Sequence, residues 1–249
     1  MENDTSNQAW DYPLRADKSG DSREAEAILW RPWPCAQCSQ DATPLDFLRR
    51  CQEAGGEYPT GEWNNFIDEI RPIERARLAK WVEKCPHTLE KKIEFPKLAQ
   101  GSEHVVFLDE SKADVIKVTL PNCFGDFYYL QDGKVVQAEC SPLMYLDRLR
   151  GWRSVLGNAP SAVGVTREGR IVSTQKFVQG VAATMSEVNA YLRSEGFQAV
   201  SESCFLWKTK DSKNNQEIWL GDARDENFVK SEGHIVPIDI RVWWMETSL

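Results

Sequence analysis

No apolar run in the 249-residue sequence approaches the length of a membrane span, so neither an anchor nor a membrane partner is expected. The first 25 residues (MENDTSNQAWDYPLRADKSGDSREA) lack the apolar stretch of a signal peptide, and the chain reads as cytoplasmic. A surplus of positive charge is also missing. Thirty Lys and Arg face 38 Asp and Glu, a net charge of -8. That argues against a general nucleic-acid binder, because a phosphate backbone demands a clustered positive surface. The seven cysteines are odd in number and scattered, which suits reduced thiols better than a disulfide framework. Internal repeats and low-complexity tracts are lacking too. What is present is a globular composition, with 41% apolar residues, enough for a core, and 27% charged ones. The length allows one large domain or two small ones.

The patterning divides the chain into three. Residues 1–25 are acidic, polar and aperiodic, and are expected to be disordered or loosely packed. Residues 26–92 read as a helical region whose helices offer a surface to a protein partner. Within it, TPLDFLRRCQEA (43–54) has Thr43 to cap, Pro44 for the first turn, and Leu45, Phe47, Leu48 and Cys51 along one face. RPIERARLAKWVEK (71–84) turns Ile73, Leu78 and Trp81 inward. From about residue 93 to 249 the pattern is that of a compact mixed domain. HVVFLDE (104–110) and DVIKVTL (114–120) suggest one hairpin, and DFYYLQDGKVVQA (126–138) a second that turns at Asp132-Gly133. A helix capped by Ser141 is expected over 141–156, a strand over 170–178 and a helix over 185–197. EIWLGDA and HIVPIDIRVWW read as late strands around a turn at Glu232-Gly233.

The chemistry concentrates in Gly221-Asp222-Ala223-Arg224-Asp225-Glu226-Asn227, followed by Ile238-Asp239. Phosphoryl transfer needs a carboxylate to orient the attacking hydroxyl, oxygen ligands for Mg²⁺ and a cation for the phosphates. Asp222 suits the first role, Asn227 and Asp239 the second, and Arg224 can steady the transferring group. The five-residue step from Asp222 to Asn227 is that of the kinase catalytic loop. Lys117 lies in an apolar run (Val115, Ile116, Val118, Leu120), where a charge needs a partner. It suits the strand lysine that holds nucleotide phosphates. Gly101 and Ser102 suit an abbreviated glycine loop. The stretch from Thr174 through Gln175 to Phe177 suits a connector whose backbone binds adenine.

The ordered pieces GSEHVVFLD, VIKVT, SPLMYLDRL, STQKFVQG, LRSEGF, GDARDENF and GHIVPIDIRV resemble the compact kinase domain of bacterial and phage polyvalent proteins, over roughly residues 96–243. The resemblance implies an α+β class and a truncated two-lobed protein-kinase-like fold. It implies an antiparallel N-lobe sheet and a small helical C-lobe, to which the helical region read over 26–92 adds an N-terminal extension. It also implies ATP and Mg²⁺ as cofactors. Departures are visible. Leu220-Gly221 precede Asp222 in place of His and Arg, and Ile240-Arg241 follow Asp239 in place of Phe and Gly. Ten residues follow Asp239, so no activation segment is expected. The helix that should supply a glutamate to Lys117 offers only Asp147.

Other features give less. Cys35-x-x-Cys38, Cys51 and Cys85-x-His87 have good zinc spacing only in the first pair, so zinc is not expected. His104 and His234 read as surface or loop residues, and Trp243-Trp244 as core packing. The sequence thus supports an ATP- and Mg²⁺-dependent phosphotransferase with an unidentified acceptor, a small molecule or a docked protein. The alternatives are a nucleotide-binding pseudokinase that acts by interaction, and adenylyl transfer on the same residues.

Overall fold

The computed structural model describes residues 28–32, 63–83, 90–131, 134–201, 205–211 and 216–245. The expected segments 1–25 and 43–54, the turn at 132–133, and Cys35, Cys38, Cys51, Cys85 and His87 lie outside the described residues.

The class is α+β, with few helices and antiparallel sheets. In chain order, β1 (Leu29–Pro32) is followed by α1 (Trp63–Glu83), β2 (Lys91–Lys92), β3 (Lys97–Gln100), β4 (His104–Asp109) and β5 (Asp114–Thr119). The hairpin β6 (Asp126–Gln131) and β7 (Lys134–Glu139) leads to α2 (Pro142–Val155), β8 (Ser161–Thr166) and β9 (Ile171–Lys176). Seven of these strands form one sheet in the order β2-β1-β8-β9-β5-β4-β3. β5 is paired on both edges, and every residue from Val115 to Thr119 is buried, the pattern of a strand covered on both faces. Its β-branched run Val115, Ile116, Val118 and Thr119 suits that place.

Two expectations for the first half need correction. The region 26–92 is not wholly helical, because residues 29–32 form a strand that pairs with β8 and β2 inside the large sheet. The helix expected over 71–84 begins eight residues earlier, at Trp63, with Pro72 inside it. An interior proline costs about 3 kcal/mol. Ile67 and Ile70, both buried, offset that cost at about 1.5–3 kcal/mol each.

The second half also departs from expectation. The resemblance implies a small helical C-lobe, but among the described residues beyond 181 there is one α-helix, α3 (Met185–Ser194), and a 3₁₀ turn (Asp225–Asn227). Strands dominate instead. β10 (Val181–Ala182) joins a three-stranded sheet with β14 (Phe228–Ser231) and β15 (His234–Pro237). β11 (Gln198–Ser201), β12 (Leu206–Lys210), β13 (Glu217–Gly221) and β16 (Arg241–Met245) form a four-stranded sheet. The reason lies in the runs Ile218-Trp219-Leu220 and Val242-Trp243. Trp219 and Trp243 face the core beneath α2, and Ile218, Leu220 and Val242 face a second core with α3 and Phe228. Strands buried on both faces read as continuous apolar runs, not as a helical stripe. Trp243 is buried and Trp244 packs against the second core.

Helix α2 stands between these parts. Ser141 caps it, accepting from the Met144 N–H, and Leu143, Leu146, Leu149 and Trp152 are all buried. A second donor at this helix end is satisfied by an acceptor from another element: the Leu143 N–H donates to Glu74 Oε2 of α1 at 2.8 Å. Glu74 is fully buried, and burial pushes its carboxyl up to about 7, against the pull of the Leu143 N–H.

A raised folded-state value means that the folded chain holds this proton more tightly than the unfolded chain. Stability from Glu74 is therefore present below about pH 4.5 and is lost as the pH rises through about 7. The span corresponds to about 3 kcal/mol. We expect urea midpoints of the wild type to fall between pH 5 and 8, and Glu74→Gln to flatten that fall. An equal slope in both proteins would remove Glu74 as its source.

Candidate functional site

Lys117 sits in the middle of β5, opposite Val106 of β4 and Ser173 of β9. Its residue is 6% exposed, so the ammonium must find partners inside the protein. It donates to the Ile238 carbonyl at 2.7 Å and lies 3.3 Å from Asp239 Oδ1. These partners follow β15, at the other end of the chain. Asp147, the residue expected on α2, is not among them. The Asp239 side chain is 56% exposed. Desolvation would raise its carboxyl, but the Lys117 ammonium prevails and holds it below the ordinary carboxylate range, hence ionised.

The Asp222–Asn227 loop locks onto the same segment. The Asn227 carbonyl accepts the Ile238 N–H at 2.9 Å and the Asp239 N–H at 3.4 Å. Its side-chain amide donates to the Asp222 carbonyl at 2.8 Å. Asp222 has φ +60, a conformation that Asp tolerates better than most residues. Its carboxylate meets two arginines, Arg224 Nε at 3.0 Å from Oδ1 and Arg241 Nη2 at 3.7 Å from Oδ2. Burial raises its pKa, and the two guanidiniums oppose this without cancelling it. Such a carboxylate is a better proton acceptor than an exposed one.

Gly101 and Ser102 form the exposed β3–β4 turn, where the Gly101 N–H donates to the His104 carbonyl. A Cβ on Gly101 would meet nothing within 4 Å. The connector stands at the opposite end of β5. Gln175 is buried, and its amide donates to the Asn158 carbonyl, while the Asn158 amide donates to the Pro237 carbonyl. The Phe177 N–H is spent on the Ala113 carbonyl, so it is not an open donor, although the ring is exposed.

Four residues of the site escaped the sequence reading. His104, expected at the surface, is buried and lies 2.9 Å from Tyr145 Oη. Burial lowers its pKa, so it is neutral near pH 7. The alternation of β4 could have placed it, since His104 and Val106 share a face with Lys117. Glu103 and Arg148 form a buried pair at 2.9 Å, and Arg148 also donates to the Phe124 carbonyl. Burial would raise Glu103, but Arg148 prevails and keeps it below the ordinary range. Arg241 completes the set, 2.9 Å from Asp126 and 3.9 Å from Glu103.

Two glycines permit this crowding. A Cβ on Gly125, which has φ +72, would collide with Glu103 and Arg148. One on Gly221 would press into the stacked rings of Tyr128 and Trp243 at 3.0 Å. That explains glycine ahead of Asp222, where the kinase pattern has arginine.

The residues that would hold Mg²⁺ are Asp239, an ionised carboxylate, and Asn227 through its side-chain oxygen. Among the described residues no group of three or more His, Cys, Asp or Glu could hold a metal alone. The donor set therefore fits Mg²⁺ only in company with phosphate oxygens. No protein-family model, curated protein or solved structure matches the chain.

Cutting the Glu103–Arg148 pair on one side leaves a buried, uncompensated charge. Glu103→Gln or Arg148→Met should each cost about 3–5 kcal/mol in denaturant unfolding. The double variant should recover most of the loss. Single costs below about 1 kcal/mol would show that water reaches the pair.

Proposed function

We propose that the chain is an ATP- and Mg²⁺-dependent phosphotransferase of the protein-kinase-like type, with a hydroxyl acceptor. The carrying observation is the convergence of Lys117 with Asp239 across 122 residues of sequence, with Asn227 bonded to the same segment and Asp222 bonded in turn to Asn227. The strand succession supports the reading. After the β3–β4 turn, the lysine stands on the third strand and a helix follows, an arrangement in keeping with a kinase small lobe. The five strands β3, β4, β5, β9 and β8 are neighbours in that order, and the turn and the connector flank Lys117 at opposite ends.

ATP with Mg²⁺ would supply an electrophilic γ-phosphoryl group with its charge neutralised. In this assignment Lys117 holds the phosphates, and Asp239 and Asn227 hold the metal. Asp222 takes the acceptor's hydroxyl proton as the new O–P bond forms and the bond to the ADP oxygen breaks. Positioning and electrostatics supply most of the rate in such chemistry.

A second reading, a nucleotide-binding pseudokinase, is favoured by one feature. Both oxygens of Asp222 face arginines, which leaves its carboxylate engaged.

A thermal-shift titration separates these. ATP should raise the Tm only with Mg²⁺, and Asp239→Asn should remove the effect at unchanged fold. Lys117→Ala should weaken binding and turnover together. Asp222→Ala should lower transfer by about 10²–10⁴-fold at unchanged ATP affinity. Binding without transfer of phosphate to any acceptor or to water would favour the pseudokinase. Equal ATP affinity with and without Mg²⁺ would contradict both metal assignments.

A further inference from the structure

Arg241 was read in the sequence only as a departure, the residue standing where a glycine was expected. Its surroundings give it a task. It lies on β16 directly across from Gly221 of β13, the residue before Asp222. Its side chain is 14% exposed and its three nitrogens serve three carboxylates. Nη1 is 2.9 Å from Asp126 Oδ2, Nη2 is 3.7 Å from Asp222 Oδ2, and Nε is 3.9 Å from Glu103 Oε2. Asp126 is itself fixed, because Gln137 of β7 donates to the same Oδ2 at 3.0 Å. Glu103 is fixed by Arg148. The guanidinium is therefore anchored on two sides and presents its third edge to Asp222.

Resting on the phosphotransferase reading, we infer that Arg241 is the positioning residue of Asp222, a fork that ties the base to the β6–β7 hairpin and to the glycine turn. The other charges around Asp222 do not replace it. Arg224 comes from the same loop, is half exposed, pairs also with Glu226 and lies over the Phe205 ring, so it does not link Asp222 to the hairpin or to the glycine turn. Asp239 repels. Asn227 holds the Asp222 carbonyl and touches its carboxylate, but it belongs to the same loop. With φ +60 at Asp222, the loop is in a strained conformation that outside contacts must maintain. A planar guanidinium that hydrogen-bonds Asp126 on one edge while it ion-pairs with Asp222 on another fills a role a point charge fills poorly.

Two measurements on the full chain test this, one without nucleotide. Amide hydrogen exchange of residues 222–227 reads the loop itself. Arg241→Gln should speed it at least tenfold, and Asp126→Asn should do so in the same direction, with β5 amides unchanged. Unchanged exchange over 222–227 overturns the inference. The second measurement is steady-state ATP hydrolysis, with water as the acceptor. Arg241→Gln should lower kcat by about a hundredfold, the effect of a misplaced reacting group, and change the KM for ATP less than twofold. Arg241→Lys should recover only part. Adding Asp126→Asn to Arg241→Gln should cost nothing more, since both act through one contact. An equal loss in kcat and in ATP binding makes Arg241 merely structural and overturns the inference. If the wild type neither binds nor hydrolyses ATP, the phosphotransferase reading fails, and the exchange data still decide whether Arg241 holds the loop.

Discussion

An ammonium on a central strand, screened from water, has to be neutralised by something the rest of the chain brings to it. Lys117 sets that requirement. Its strand neighbours Val115, Ile116 and Val118 are buried and apolar, and the charge is met by the Ile238 carbonyl and by Asp239. The segment between β15 and β16 must therefore close on the large sheet. Asn227 follows, because its carbonyl takes the Ile238 and Asp239 N–H groups. Asp222 follows Asn227 through the side-chain amide. A second tie, from Gln175 through Asn158 to Pro237, reaches the same segment from β9. One buried charge thus accounts for the meeting of residues that lie far apart in sequence.

Around that point the charges alternate. Arg148 meets Glu103, Glu103 meets Arg241, Arg241 meets Asp126 and Asp222, and Asp222 meets Arg224. Each buried member is flanked by the opposite sign, as burial demands. The spacing is set by backbone as much as by side chains. Gly125 lets the Glu103–Arg148 pair approach the chain, and Gly221 lets the Tyr128–Trp243 stack approach the base of the loop. Gly221 is also where the sequence departs from the kinase pattern, which ties that departure to packing.

Sequence patterns were legible where a local rule governs. The hairpin strands at 104–109 and 114–119 and the Ser141 cap fall where alternation and capping chemistry place them. The turn at Glu232-Gly233 does too, with φ +50 and +84. The Lys117, Asn227 and Asp239 convergence was legible from motif order. What was not legible depends on partners distant in sequence. Ile218-Trp219-Leu220 carries no sign that both its faces are covered, so a lobe of strands was taken for one of helices. Pro72 looks like a helix start unless the burial of Ile67 and Ile70 is known. β1 is only four residues long, and its place in the sheet is set by β8 and β2, not by its own pattern. Arg148 and Arg241 look like surface residues on any hydropathy scale, and only Glu103 and Asp126 make them interior.

The pairing on α2 has a mechanical consequence. In the kinase pattern the helix carries a glutamate that holds the strand lysine, so helix position acts on the lysine. Here α2 carries a cation, and the lysine leans on Asp239 and a backbone carbonyl instead. The helix charge goes to Glu103, which sits at the end of the Gly101–Ser102 turn and whose carbonyl receives the Leu120 N–H. Displacing α2 would therefore disturb the turn first and leave the Lys117–Asp239 contact in place. The position of α2 is in turn set from α1, through Glu74 on the Leu143 N–H and through Leu78, Trp81 and Val82 in the shared core. If the Gly101–Ser102 turn covers the phosphates that Lys117 is proposed to hold, α1 reaches them through two buried ionisable contacts, the Glu74 cap and the Arg148–Glu103 pair. The strength of that route depends on Glu74, since an ionised carboxylate caps the α2 N-terminus more strongly than a protonated one but is costlier to bury.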